Sequence, residues 1–145
     1  FCSWFSSAAI ALYRTEALRE IKGFDENIFL YNEDLDLSLR FSKKKYALVT
    51  LPYVTARHIN SGSAPKSIKQ HWRKDWNFSW GNLYLIKKHK SPSVAFLNAL
   101  KTIALKAPKA LLYFLTFDRK RTIRDGATTM GAISFLLGQK PNPRD

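Results

Sequence analysis

Apolar and polar positions divide the chain into a short front part of mixed pattern and a long helical remainder. Residues 8–13, Ala-Ala-Ile-Ala-Leu-Tyr, form a short apolar run that predicts a buried strand. Thr15 is placed to cap a helix that begins at Glu16 and stops at Gly23. A polar turn, Phe24-Asp25-Glu26-Asn27, leads into Ile28-Phe29-Leu30-Tyr31. Residues 34–41, Asp-Leu-Asp-Leu-Ser-Leu-Arg-Phe, alternate as a strand would. Their charges argue for a helix instead: Asp34 and Asp36 stand at the front and Arg40, Lys43, Lys44 and Lys45 at the back, as a helix dipole favours. We therefore read a helix from about residue 34 to 45, with Leu35 and Leu39 on one face. Tyr46–Leu51 and Tyr53–Arg57 read as strands broken at Pro52, and residues 60–65, Asn-Ser-Gly-Ser-Ala-Pro, as a loop. From Lys66 to His89, Ile68, Trp72, Trp76, Trp80 and Leu83 recur at three- and four-residue spacing, the period of an amphipathic helix. A second helix is predicted over 93–117, bent at Pro108, and a third over 120–137, before a frayed end at Pro141-Asn142-Pro143.

Composition narrows the class. The 145 residues are enough for one ordinary domain with a real core. At 46% hydrophobic and 24% charged the chain is neither disordered nor collagen-like. A single cysteine, Cys2, excludes an internal disulfide framework and suits a reducing compartment. No apolar run reaches the roughly 18–20 residues of a membrane-spanning helix. The chain opens in apolar sequence at Phe1, so we expect it to be a piece of a longer protein. Its net charge of +13 is uneven: residues 1–36 carry a net −4 and residues 37–145 a net +17. A basic balance points to an anionic partner, whether nucleic acid, anionic lipid or a phosphate-bearing small molecule.

The acidic group Glu33, Asp34 and Asp36 has two readings. It can cap and solvate the first turn of the helix, or it can hold a catalytic carboxylate that removes a proton from a sugar hydroxyl. Gly23-Phe24-Asp25-Glu26 followed by Phe29-Leu30-Tyr31-Asn32-Glu33-Asp34-Leu35-Asp36-Leu37-Ser38-Leu39-Arg40 resembles the second half of a family 2 glycosyltransferase of the GT-A type. Arg14 and Ala17-Leu18 precede this string, and residues 46–52 and His58 follow it, in the order that family shows. The resemblance covers residues 6–90, and the helical tail is similar to that of a rhamnosyltransferase-like branch.

The resemblance implies an α/β fold, here an α+β fragment. Residues 1–65 would be the acceptor-side, C-terminal half of a GT-A catalytic domain, and residues 66–145 a helical extension able to associate with membrane. It implies an inverting transfer from a nucleotide sugar to a polysaccharide or lipid-linked glycan, at the inner face of the cell membrane in the cytoplasm. Asp34 would be the base, with Glu33 orienting it or touching the acceptor. Asp36 would contact substrate or stabilise the helix start. His58 would be a ligand of a divalent metal, Mn²⁺ or Mg²⁺, or else a structural histidine. Its co-ligands are expected upstream in an Asp-x-Asp motif, so this piece alone is expected to be inactive. Gln70 and Arg73 are similar to a Gln-x-x-Arg-Trp signature, but Lys74 stands where its tryptophan would be. Arg73 would meet a phosphate or lie on a solvated helix face. The tryptophan stripe reads as core rather than as a sugar-stacking platform.

The alternative is a basic helical module without catalysis, binding nucleic acid or a membrane surface. The absence of any nucleic-acid-binding motif speaks against the first form, and no nucleic acid is expected as a partner. The unexplained string from Glu33 to Arg40 speaks against the second. At 100° per residue Lys101, Lys106 and Lys109 fall within about 140° of one another. Leu97, Leu100, Ile103, Leu111 and Phe114 fall largely on the rest, a basic amphipathic pattern compatible with an anionic membrane surface or with packing on the catalytic core.

Overall fold

The structure is a computed structural model, and it describes residues 2–3, 10–55, 57 and 67–141. The elements run β1 (Cys2–Ser3), α1 (Thr15–Glu20), α2 (Glu33–Lys43), β2 (Leu48–Val49), α3 (Ile68–His89), α4 (Pro92–Leu115) and α5 (Arg119–Leu136). The described residues are thus mostly helical, and β1 and β2 form a two-residue antiparallel pair with Cys2 opposite Val49. Two compact units result: Phe1–Glu26 with Asn32–Ala64, and Asn27–Tyr31 with Pro65–Asp145.

In the first unit α2 is a helix, as its charge order predicts, and not the strand its alternation suggests. The core stripe is Leu37 and Phe41, one turn apart, packed with Ala17 and Ile21 of α1. Leu35 and Leu39, which share another face of the helix, are only half-buried. The Tyr13 ring stacks on Phe41 at 5.6 Å, and Tyr46 meets Phe41 edge-on at 5.7 Å. Helix α1 starts one residue before the expected position, with Arg14 as the residue ahead of it and no side-chain cap. It ends through Lys22 and Gly23, both in the left-handed region, and the Gly23 N–H donates to the Leu18 carbonyl at 2.9 Å.

The strands expected on either side are the main correction. Residues 10–13 form no strand, and Ile10 and Leu12 are exposed. Of Tyr46–Leu51 only Leu48 and Val49 pair; Tyr53, expected to open another strand, sits in a turn and is almost fully exposed. An apolar run becomes a strand only where a neighbour takes up its backbone N–H and C=O groups, and β1 is the one ladder partner among the described residues. The loop at 60–65 lies outside the described residues.

The second unit is built on three long helices within a few residues of the predicted spans. Ser67 and Ser91 cap α3 and α4, each accepting a backbone N–H at 3.2 Å, and Asp118 caps α5 at 3.1 Å. Pro92 occupies the first turn of α4, where its missing N–H costs nothing, while Pro108 lies inside that helix. Helices α3 and α5 approach closely at Gly131, where an added Cβ would lie 2.5 Å from the Trp76 carbonyl oxygen. Leu83, Ala99 and Ala132 form the buried centre of the unit. Trp80 is buried too, and its indole N–H donates to the Gln139 carbonyl at 2.7 Å, tying the chain beyond α5 back to α3.

Candidate functional site

The residues that lead into α2 take an uncommon path. Tyr31 and Asn32 are consecutive and both left-handed, with φ of 65° and 70°. For Tyr31 this costs roughly 1–2 kcal/mol, a strain that sites of function commonly store, whereas Asn32 is a residue type that adopts this conformation more readily. The Asn32 carbonyl accepts from the Asp36 N–H at 2.9 Å and so closes the first turn. Glu33, Asp34 and Asp36 are thereby set in the first turn of α2, against its unpaired N–H groups.

The three carboxylates have different surroundings. Asp34 is half-buried, and its Oδ1 accepts from the Leu35 N–H at 2.8 Å. Its Oδ2 makes no hydrogen bond to a described residue. Glu33 has one carboxylate oxygen, Oε2, buried without a hydrogen-bond partner among the described residues. Asp36 turns inward: it is fully buried, and its Oδ2 accepts from the Arg40 guanidinium at 2.7 Å. Arg40 also donates to the Ile21 carbonyl at 2.5 Å, which ties α2 to the end of α1. The structure thus leaves Oδ2 of Asp34 and Oε2 of Glu33 without hydrogen-bond partners among the described residues, and gives Asp36 a partner inside the unit. A carboxylate with a free oxygen, fixed at a helix start, can accept a proton from an alcohol laid against it.

His58 lies outside the described residues. Among the described residues no three His, Cys, Asp or Glu side chains come together as a metal site.

Gln70 and Arg73 fall on the first two turns of α3. Gln70 supplies its backbone N–H to the Ser67 cap. The Arg73 guanidinium lies over the Phe29 ring, 4.8 Å from its centroid. Arg73 also lines a cavity of about 600 Å³ with Lys69, Trp72, Trp76, Gln139 and Lys140. The tryptophan stripe therefore divides. Trp80 is core, as expected, but Trp72 is 39% exposed and turns with Trp76 to the cavity wall. Lys140 donates to Asn27 Oδ1 at 3.1 Å. Sequence reasoning missed Gln139 and Lys140, which reach this wall only because the chain past α5 returns to α3. It also missed the left-handed pair, which Asn32 could have signalled but Tyr31 could not.

A family model described as glycosyl transferase family group 2 matches residues 2–130. The match runs from β1 into α5 and includes both the α2 junction and most of the α3 cavity wall. The chain belongs to that family, and glycosyl transfer, in general from a nucleotide-sugar donor to a glycan acceptor, is the activity that membership supports. No curated protein and no solved structure matches the chain.

Proposed function

We propose that the chain carries the acceptor-activating part of an inverting, nucleotide-sugar-dependent glycosyltransferase of GT-A type, of a rhamnosyltransferase-like class. The acceptor is a hydroxyl of a polysaccharide or of a lipid-linked glycan. The observation that carries the reading is the α2 junction, where a strained turn inside the family match leads into a first helical turn that leaves Oδ2 of Asp34 and Oε2 of Glu33 without hydrogen-bond partners among the described residues. The acceptor oxygen attacks the anomeric carbon, and its proton passes to Asp34. The bond from that carbon to the diphosphate oxygen breaks, the diphosphate leaves with the electron pair, and the anomeric configuration inverts. Positioned proton removal of this kind contributes about 10²–10⁴-fold. Glu33 orients Asp34 or touches the acceptor, and Asp36 acts as a positioning residue through Arg40.

Arg73 and Gln70 are proposed as substrate contacts on α3. Beside Arg73, Lys69 and Lys140 give its cavity a cationic wall suited to phosphate, and Trp72 and Trp76 line the same cavity, as aromatic residues suited to packing against a sugar. A divalent metal, Mn²⁺ or Mg²⁺, belongs to the same proposal, with His58 as one ligand and the others from outside the described residues. When bound it would neutralise the departing nucleoside diphosphate.

The test is the stereochemistry of the product. The enzyme is incubated with a panel of nucleotide sugars and glycan acceptors, and the anomeric configuration of the new linkage is read by NMR. Inversion relative to the donor is expected. Retention of configuration would overturn the single-displacement reading of Asp34.

A further inference from the structure

The most unusual surface of the second unit is the outer side of α4. Ala95 and Ala99 mark its inner side, and both are fully buried. On the opposite side Leu97, Leu111, Phe114 and Leu115 are 60–66% exposed, and Phe96 and Leu100 lie beside them. At 100° per residue these six fall within an arc of about 100°, so they form one continuous apolar strip along the helix. The sequence pattern is compatible with a helix that buries its leucines and leaves its lysines in water. The structure leaves Lys101 and Lys109 in water as well, but the small residues Ala95 and Ala99 face inward and most of the large apolar residues face out. A strip of this kind on a protein surface marks an interaction site.

The charges select the partner. Between Asp75 and Asp118 the sequence contains no acidic residue and six lysines. Lys106 is drawn inward to the buried Asp125 at 3.2 Å. Leu112 and Leu105, 56% and 51% exposed, continue the apolar surface past Lys101, so Lys101 stands within it and Lys109 at its edge, both exposed and without an ion-pair partner among the described residues. At the end of α4, Phe114 and Phe117 line a shallow apolar depression of about 290 Å³ together with Arg119. Lys120 follows, also exposed. A second copy of the chain would face these cations with its own and bring no acid from the same helix to meet them. A neutral apolar partner would leave them unanswered. No described helix is long and apolar enough to cross a membrane, so a spanning role does not fit α4. Apolar side chains flanked by long cationic ones, on a helix that lies flat, fit the boundary between lipid headgroups and acyl chains.

We propose that the outward strip of α4 lies on the surface of an anionic lipid bilayer, with its leucines and phenylalanines at the acyl boundary and Lys101, Lys109, Arg119 and Lys120 against the headgroups. This stands apart from the reading of Asp34, because lipid binding is measured without sugar transfer.

The full chain is floated with vesicles of phosphatidylcholine alone and of phosphatidylcholine mixed with phosphatidylglycerol. Binding to the mixed vesicles is expected, weakening with added salt. Lys101→Gln and Lys109→Gln should each weaken it about fivefold. Leu111→Glu combined with Phe114→Glu should weaken it by about tenfold or more. All these positions are exposed, so circular dichroism and the thermal unfolding midpoint should stay at the parent values. Failure to bind the mixed vesicles, or binding unchanged by the Leu111→Glu and Phe114→Glu pair, would overturn the proposal. So would a dimer in sedimentation equilibrium that the same pair dissolves, because the strip would then belong to a second copy.

Discussion

Asp36 and Asp125 are fully buried carboxylates, and each is answered by a cation of its own unit. Asp36 meets Arg40; Asp125 accepts from Arg124 at 2.8 Å and from Lys106 at 3.2 Å. Arg40→Met should cost about 3 kcal/mol of stability, because it removes the cation that answers a buried carboxylate and frees the Ile21 carbonyl. Arg40→Lys should cost less, and urea unfolding of the two variants checks the order. For Asp125, burial alone pushes the carboxyl up, but the bonds from Arg124 and Lys106 outweigh it and hold the group below its ordinary value of 3.8. A carboxyl lowered by folding stabilises the native state above its unfolded value, and that stability is lost as pH falls through the lower folded value. Asp75 is shifted the opposite way, raised by burial, so its burial opposes folding at neutral pH and is relieved on acidification. Unfolding free energies measured from about pH 5 down to about pH 2 should fall, and Asp125→Asn should flatten that fall.

Helices and strands are legible in the sequence to different degrees. Helix α2 can be read because Asp34 and Asp36 precede Arg40 and Lys43, an order that a helix dipole favours and a strand does not explain. Its inner face cannot, since Leu35 with Leu39 and Leu37 with Phe41 offer two candidate stripes and the choice of Leu37 with Phe41 rests on α1. The long periodic helices can be read from spacing alone. Strands at 10–13 and 53–57 cannot be settled that way, because strand formation depends on a partner that the run itself does not contain. The packing of α5 on α3 is equally hidden, since nothing in sequence marks Gly131 as the point of closest approach. That closeness has a measurable cost. Gly131→Val should lower stability by about 1–3 kcal/mol through overpacking against Trp76 and Ser79, seen as a lower thermal midpoint. The same substitution at a helix position with free space would act only through propensity, by under about 1 kcal/mol.

For the whole chain, the split between an acidic front and a basic remainder is the sequence feature that bears most on function. The acids of the front include Glu33 and Asp34, which lie in the first turn of α2. The cations of the remainder are put to three uses: neutralising the buried Asp125, walling the cavity at Arg73, and edging the apolar strip of α4. The string from Gly23 to Arg40 makes the candidate carboxylates legible as residues. The turn that strains them into place, and the cavity that Trp72, Gln139 and Lys140 complete, arise from three-dimensional packing that no local pattern encodes.

The measurement that tests the assignment of the catalytic base most directly is kcat for sugar transfer by the Asp34→Asn enzyme at saturating donor and acceptor, taken beside its thermal unfolding midpoint. A fall of about 10²–10⁴-fold with the midpoint unchanged is expected. A folded Asp34→Asn enzyme that turns over within a few-fold of the parent would contradict the role given to Asp34.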